Sequence, residues 1–187
     1  LISVWRIVQD KEYILWLSSL GVKAAQLTLF GVEETTDYYT GRKGAFQDLL
    51  KAIEILIENK IAPRIQTFIN KDNIDELPYI ENLIRELDLE NRCKAFETEF
   101  SFFLHQGSCD GENEKLYNIR ITPDDLSKIP QKLIQFTLKH FHAGTLEEVF
   151  GRTEQSLYEE FSLEDSTANY VSDSPVFYID KDFNAYP

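Results

Sequence analysis

Two hydrophobic periods alternate along this chain and divide it into elements. From Asp10 to Leu20, the residues Tyr13, Ile14, Leu17 and Leu20 recur at three- and four-residue intervals, which predicts an amphipathic helix. Gly21, just beyond, supplies its stop. Upstream, Ile2, Val4 and Ile7 read as the tail of a strand or its loop. Ala24 to Leu29 then changes to a period of two, with Leu27 and Leu29 alternating with Gln26 and Thr28, the pattern of a strand with one polar face. A loop rich in hydroxyls and charge follows Gly31. From Gly44 to Lys60 the helical period returns, with Phe46, Leu49, Leu50, Ile53, Leu56 and Ile57 opposite Asp48, Lys51, Glu54 and Glu58.

Ile61 to Ile69 alternates again, Ile65, Thr67 and Ile69 against Arg64, Gln66 and Phe68, and Pro63 near its start is tolerated where few ladder bonds have begun. Asn73 or Asp75 caps a further helix to about Leu87, and Arg92 to Thr98 reads as a third strand. The order strand, helix, strand, helix, strand implies right-handed crossovers and a parallel sheet, either open or curved into part of a barrel.

After Phe100 the pattern loosens. Ser101 to Glu114 reads as a long loop, Ile119 to Ile121 as a brief strand, and Thr122-Pro123-Asp124-Asp125 as a helix start with threonine cap and proline at the first position. Helices follow at Lys132 to His142 and at Leu146 to Phe161, the latter from a Thr145 cap. Val176-Phe177-Tyr178-Ile179, with the turn residues after it, forms a hairpin whose second arm is only begun.

Composition narrows the function. A net charge of −13 and a pI near 4.6 argue against nonspecific nucleic-acid binding. The acidic excess gathers after Glu147, where Arg152 and Lys181 are the only basic side chains, and reads as a solvated surface. No apolar run reaches membrane-spanning length and the first residues are not a signal peptide, so a soluble cytoplasmic protein is expected. Cys93 and Cys109 lie too far apart for a zinc pair, and His140 and His142 are two residues apart rather than three or four, so no metal site is expected. No nucleophilic constellation is present, and the pairs Glu33-Glu34 and Asp124-Asp125 are better explained as loop and cap residues. The chain begins at Leu1 and contains no methionine, which reads as a piece of a longer protein or as a peculiarity of the sequence as given.

Two candidate ligand groups remain. Thr28 lies near the C-terminal end of a polar-faced strand, where parallel α/β folds place ligands; the alternative is a strand-end threonine bonded to nearby backbone. Arg42, between Gly41 and Lys43-Gly44 at a helix entry, suits a carboxylate or phosphate, against the alternative of a solvated arginine.

Gln26-Leu27-Thr28-Leu29-Phe30-Gly31 resembles the fourth barrel strand of radical S-adenosylmethionine enzymes, in which serine often stands at the position of Thr28 and aspartate at that of Phe30. Thr40-Gly41-Arg42-Lys43-Gly44-Ala45-Phe46 resembles the Thr-Gly-x-x-Gly-x-Phe pattern that follows. The run from Ile65 through Asn73-Ile74-Asp75-Glu76-Leu77 resembles the family's fifth strand and the opening of its fifth helix. Val176 to Pro187 is similar to the first hairpin of the cluster-bearing C-terminal extension of the peptide-modifying members, with Phe183 where glycine is familiar.

The resemblance implies an α/β class: a partial parallel (β/α) barrel of about three strands and their helices, then a mostly helical C-terminal segment and an incomplete hairpin. Residues 1–100 are expected to form the C-terminal portion of the barrel, 101–174 a loop and helical linker, and 175–187 the start of the extension. It further implies that the intact protein uses S-adenosylmethionine and a [4Fe-4S] cluster to generate a 5′-deoxyadenosyl radical and abstract hydrogen from a substrate that has peptides among its candidates, with Thr28, Arg42 and Gln66 touching the cofactor. The Cys-x-x-x-Cys-x-x-Cys loop that holds the cluster is absent here. The chain alone is therefore expected to bind no cluster, to be inactive, and to self-associate through an open sheet edge. The rival reading is a non-catalytic α/β binding or interaction module derived from such a barrel.

Overall fold

The computed structural model describes residues 2–107, 111–151, 178–179 and 185–186. The chain divides into two units, Leu1–Gly151 and Arg152–Pro187. In the first, helices α1 (Val4–Gln9) and α2 (Lys11–Ser19) precede strand β1 (Ala24–Leu29). Helices α3 (Glu33–Thr40) and α4 (Ala45–Glu58) lead to β2 (Ala62–Phe68), and α5 (Leu77–Glu86) and α6 (Leu89–Lys94) lead to β3 (Ser101–His105). Helices α7 (Gln131–Phe141) and α8 (Leu146–Phe150) follow. The strands are parallel and adjacent in chain order. The α/β class and its parallel sheet thus stand as expected.

One face of this sheet makes the core. Ala25, Leu27 and Leu29 of β1, Ile65 of β2, and Phe102 and Leu104 of β3 are buried with Leu49, Ile53 and Leu56 of α4 and Leu77 and Ile80 of α5. The three-and-four spacing of α4 supplies the apolar stripe that meets the alternate residues of β1 and β2.

Several expected elements differ. Val4–Gln9 is a helix rather than a strand tail, because Ser3 accepts from Arg6 N at its start and Ile7 packs inward. The hydroxyl-rich loop after Gly31 contains α3. Arg92–Thr98 is not a strand: Leu89 and Cys93, four residues apart and fully buried, anchor α6, and Arg92 forms a two-pronged ion pair with Glu54 of α4 at 2.8 and 2.6 Å. The third strand lies at Ser101–His105, so the sheet extends beyond residue 100, within the segment expected to be loop. Ile119 to Ile121 is no strand, although Ile119 O accepts from Lys71 N. The Thr122 capping box is present, on a 3₁₀ turn. The last helix is described only over Leu146–Phe150, its expected continuation lying outside the described residues. In the second unit β4 (Tyr178–Ile179) and β5 (Ala185–Tyr186) pair antiparallel, as a hairpin requires.

Helix α7 closes the outer edge of β3. The hydroxyl of Thr137, fully buried, accepts from Leu104 N at 3.1 Å and donates to Leu133 O at 2.8 Å. An edge amide is thereby satisfied by a helix rather than by another strand.

The C-terminal ends of β1 and β2 are tied together by the segment that opens α5. The buried Asn73 amide donates to Phe30 O and Phe68 O, both at 2.6 Å, and its oxygen accepts from Asn70 N at 2.8 Å. Glu76 accepts from Val32 N at 2.7 Å and the Thr35 hydroxyl at 2.5 Å, fixing the first turn of α3. Gly31 is needed beneath it, since a Cβ there would collide with the Glu76 carboxylate and come within 2.7 Å of Thr35 Cβ. At the other end of α3, Asp37 accepts from Gly44 N and Phe46 N at 2.5 and 3.0 Å and so caps α4.

Two outcomes follow from these ties. Asn73→Ala, which strands two part-buried carbonyls and one buried amide, is expected to lower unfolding stability by about 2–4 kcal/mol in a denaturant titration. The bonds from Phe46 and Gly44 hold the Asp37 carboxyl below its ordinary value of 3.8. Its stabilising contribution is therefore present above that value and lost as pH falls through the lowered one. Asp37→Asn should accordingly be less stable than the parent at pH 7, with the gap closing in acid melts below pH 3.8.

Candidate functional site

The face of the sheet opposite the core is built in three rows, because alternate residues share a face and register fixes their neighbours. Gln26, Arg64 and Ser101 form the first row, and Thr28, Gln66 and Phe103 the second. Phe68 and His105 pair in the third, which Phe30, one step past β1, completes at the C-terminal ends of the strands.

Polar order runs through the first two rows. Arg64 donates to Gln26 Oε1 at 2.7 Å, and Gln26 Nε2 donates to Gln66 Oε1 at 2.5 Å. A guanidinium has no acceptor, so it fixes which way both amides point. The amino group of Gln66 is left as the outgoing donor, and Thr28 is the register partner of Gln66 on β1. A fixed donor next to a hydroxyl suits an oxygen-rich ligand group such as a ribose diol. Gln66 is only 8% exposed, so the ligand edge would displace little bulk water.

The third row is aromatic. Phe30 stacks on Tyr39 of α3 and on Phe68, with ring centroids 5.6 and 5.8 Å apart, and His105 stands edge-on to Phe68 at 5.3 Å. These rings line a cavity of about 350 Å³ with Asn70, Gln106 and Arg120 among its polar groups. Burial and the Asp72 carboxylate push the Tyr39 phenol up to about 12, so it stays protonated. It donates to Asp72 at 2.7 Å and accepts from Asn70 Nδ2 at 3.2 Å. Burial lowers His105, which keeps its ring neutral near pH 7.

Thr28 and Gln66 are therefore brought together, and Arg42 is placed elsewhere. Arg42 is paired with Asp48 at 2.6 Å and lines a shallow depression with Glu33, Glu34 and Tyr38. The helix entry beside it is already occupied by the Asp37 carboxylate.

Burial pushes the Cys93 thiol up to about 11, which keeps it protonated and unsuited to bind a metal; Cys109 lies outside the described residues. His140 lies flat on Phe103, centroids 3.8 Å apart and planes 3° from parallel. Among the described residues no cluster of His, Cys, Asp or Glu is arranged to hold a metal ion, and these residues do not fit an iron–sulfur cluster. Among them, too, no helix is long and apolar enough to cross a membrane.

The parity of Ile61 to Ile69 contained the signal for Arg64 and Phe68, and the parity of Ala24 to Leu29 that for Phe30. Tyr39 and His105 carry none, because neither α3 nor β3 has a hydrophobic period of its own.

No protein-family model matches the chain. It is 31% identical over 84 residues to the Fe-coproporphyrin III synthase of Methanosarcina barkeri, a match covering 45% of this chain and 21% of that protein. It is 37% identical over 73 residues to the sporulation killing factor maturation protein SkfB of Bacillus subtilis, covering 39% and 17%. The chain thus spans about a fifth of the length of these curated relatives. Among solved structures it resembles native anSMEcpe with bound AdoMet and Kp18Cys peptide, at 17% identity and a TM-score of 0.49, over 73% of this chain and 36% of that one. The curated relatives that it matches in part are radical S-adenosylmethionine enzymes, the family that its Gln26–Gly31, Thr40–Phe46 and Ile65–Leu77 segments resemble.

Proposed function

We propose that this chain forms part of the cofactor- and substrate-binding wall of a radical S-adenosylmethionine enzyme. The observation that carries the reading is the oriented pair of Gln66 amide and Thr28 hydroxyl near the C-terminal end of a parallel sheet, locked from below by Arg64. When bound, S-adenosylmethionine and a cluster held by other residues supply radical hydrogen abstraction. The residues of this chain do the binding. Thr28 and Gln66 hold the ribose hydroxyls, and the aromatic row above them excludes water from the reacting end of the site. Arg42 reaches the cofactor carboxylate only by exchanging Asp48 for it.

In this reading residues 1–100 are the C-terminal portion of the barrel, 101–174 a linker that also contributes β3, and 175–187 the start of an extension. The whole protein works in the cytoplasm on a substrate that includes peptides among its candidates, and not on nucleic acid. The chain by itself binds no cluster and is inactive.

A second reading, a non-catalytic interaction module, is favoured by one feature. Among the described residues β1 pairs only with β2, and the helices just before it leave Trp5 59% and Trp16 54% exposed. An unpaired strand edge and exposed indoles each favour association.

The readings separate on the full reading frame. Three cysteines in Cys-x-x-x-Cys-x-x-Cys spacing ahead of Leu1, and 5′-deoxyadenosine formed by the anaerobically reconstituted whole protein, are expected; a frame without such cysteines defeats the radical reading. In that protein, Gln66→Leu and Arg64→Met should each weaken S-adenosylmethionine binding roughly tenfold, the loss of one or two positioned hydrogen bonds, with unchanged melting of the apoprotein. For the 187-residue chain, light scattering should show a dimer that Trp16→Glu dissociates. A clean monomer at high concentration would count against the open edge of β1 as an association surface.

A further inference from the structure

The third row leaves four rings half-exposed in a concavity rather than packed in the core. Tyr39, Phe30 and Phe68 lie within 14–17° of parallel along the row, and His105, turned 76° to Phe68, closes its end. Leu116 and Ile119 stand in the same cavity. With their faces stacked on one another, rings held at the mouth of a cavity gain most when another aromatic group packs against their exposed edges.

The polar groups decide what that group carries. Asn70 is committed within the protein, its amide donating to Tyr39 and its oxygen accepting from Asp72 N and Asn73 N. The Tyr39 hydroxyl is committed to Asp72. Gln106 donates to Ile121 O. A nucleobase, whose edge calls for matched donors and acceptors, finds these amides already engaged. Among the described residues lining the cavity, Arg120 carries the positive charge, and it favours an anion.

We propose that this cavity is a substrate subsite for a flat aromatic ring bearing a carboxylate, with the face of that ring packed against the edges of Phe30 and Phe68 and the carboxylate facing Arg120. The subsite sits one row, about 7 Å, beyond the Thr28 and Gln66 pair, since alternate strand residues are that far apart. A ring held there lies next to the ribose without competing for its polar partners. That the occupant is substrate rests on the radical-enzyme reading; that the cavity binds an aromatic acid does not.

The test uses the 187-residue chain with three probes, indole-3-acetate, cyclohexylacetate and adenosine, read by calorimetry and by saturation-transfer NMR. Indole-3-acetate should bind roughly five- to tenfold tighter than cyclohexylacetate, which has the same charge without the ring face. Phe30→Leu and Phe68→Leu should each abolish that preference. Arg120→Gln, a change at the cavity lining that leaves the aromatic row intact, should weaken indole-3-acetate roughly tenfold and leave neutral 3-methylindole unchanged, so the proposal stays testable even if a ring variant fails to fold. Equal binding of the two acids, indifference to Arg120→Gln, or no binding of indole-3-acetate would overturn it. So would displacement of indole-3-acetate by adenosine at lower concentration, which would make the platform a base site. Failure of the whole protein to form 5′-deoxyadenosine, with the indole preference intact, would remove the radical reading and leave the aromatic-acid subsite standing.

Discussion

Everything functional in this fold depends on one buried amide. The side chain of Asn73 reaches between the ends of β1 and β2 and takes a carbonyl from each, Phe30 O and Phe68 O, while accepting the backbone of Asn70. Those carbonyls lie where the strands have stopped pairing, the place at which a parallel sheet otherwise splays and admits water. Holding them 2.6 Å from one nitrogen sets the spacing of Phe30 and Phe68, and hence the floor of the cavity above. Glu76, one turn on, carries the same constraint outward by fixing the first turn of α3, which delivers Tyr39 to the row.

From that anchor the face of the sheet opposite the core acquires its layering. Arg64, with donors only, imposes a direction on two amides and leaves the amino group of Gln66 pointing onward. One row further the side chains become aromatic. A polar group that must be matched thus lies beneath apolar faces that need only be covered, an arrangement that orients one part of a ligand and desolvates the next. α7, which satisfies the outer edge of β3 through Thr137, keeps His105 at the end of the aromatic row from fraying.

Much of this was legible because it is local. The alternation in Ala24 to Leu29 and the helical stripe of α4 survive folding, as their burial follows their own period, and Ile61 to Ile69 forms its strand although β2 is buried on both faces at Ile65, Gln66 and Thr67. What misled was long-range. Glu33 to Thr40 is poor in strong helix formers, and the helix exists because a carboxylate more than 40 positions away holds its start. Ser101 to His105 has no alternation because Phe102 and Leu104 face the core while Phe103 is covered by His140. Arg42 looked like an anion ligand because Asp37 and Asp48, which occupy the helix entry and the guanidinium, become its neighbours only once the α3–α4 turn forms.

The family-like segments contribute to geometry more than to chemistry. Asn73 and Glu76 clamp strand ends and start a helix, Gly31 makes room for the clamp, and the turn around Gly41 and Gly44 lets Asp37 cap α4. Residues of that kind set a shape, that of parallel strands ending beneath a cavity, whatever lies in the cavity. The side chains that line the cavity, Phe30, Phe68, His105 and Arg120 among them, are not the clamps themselves. Sequence likeness to relatives of differing names is therefore compatible with different occupants of one frame, and the selectivity of this chain has to be read from its own aromatic row.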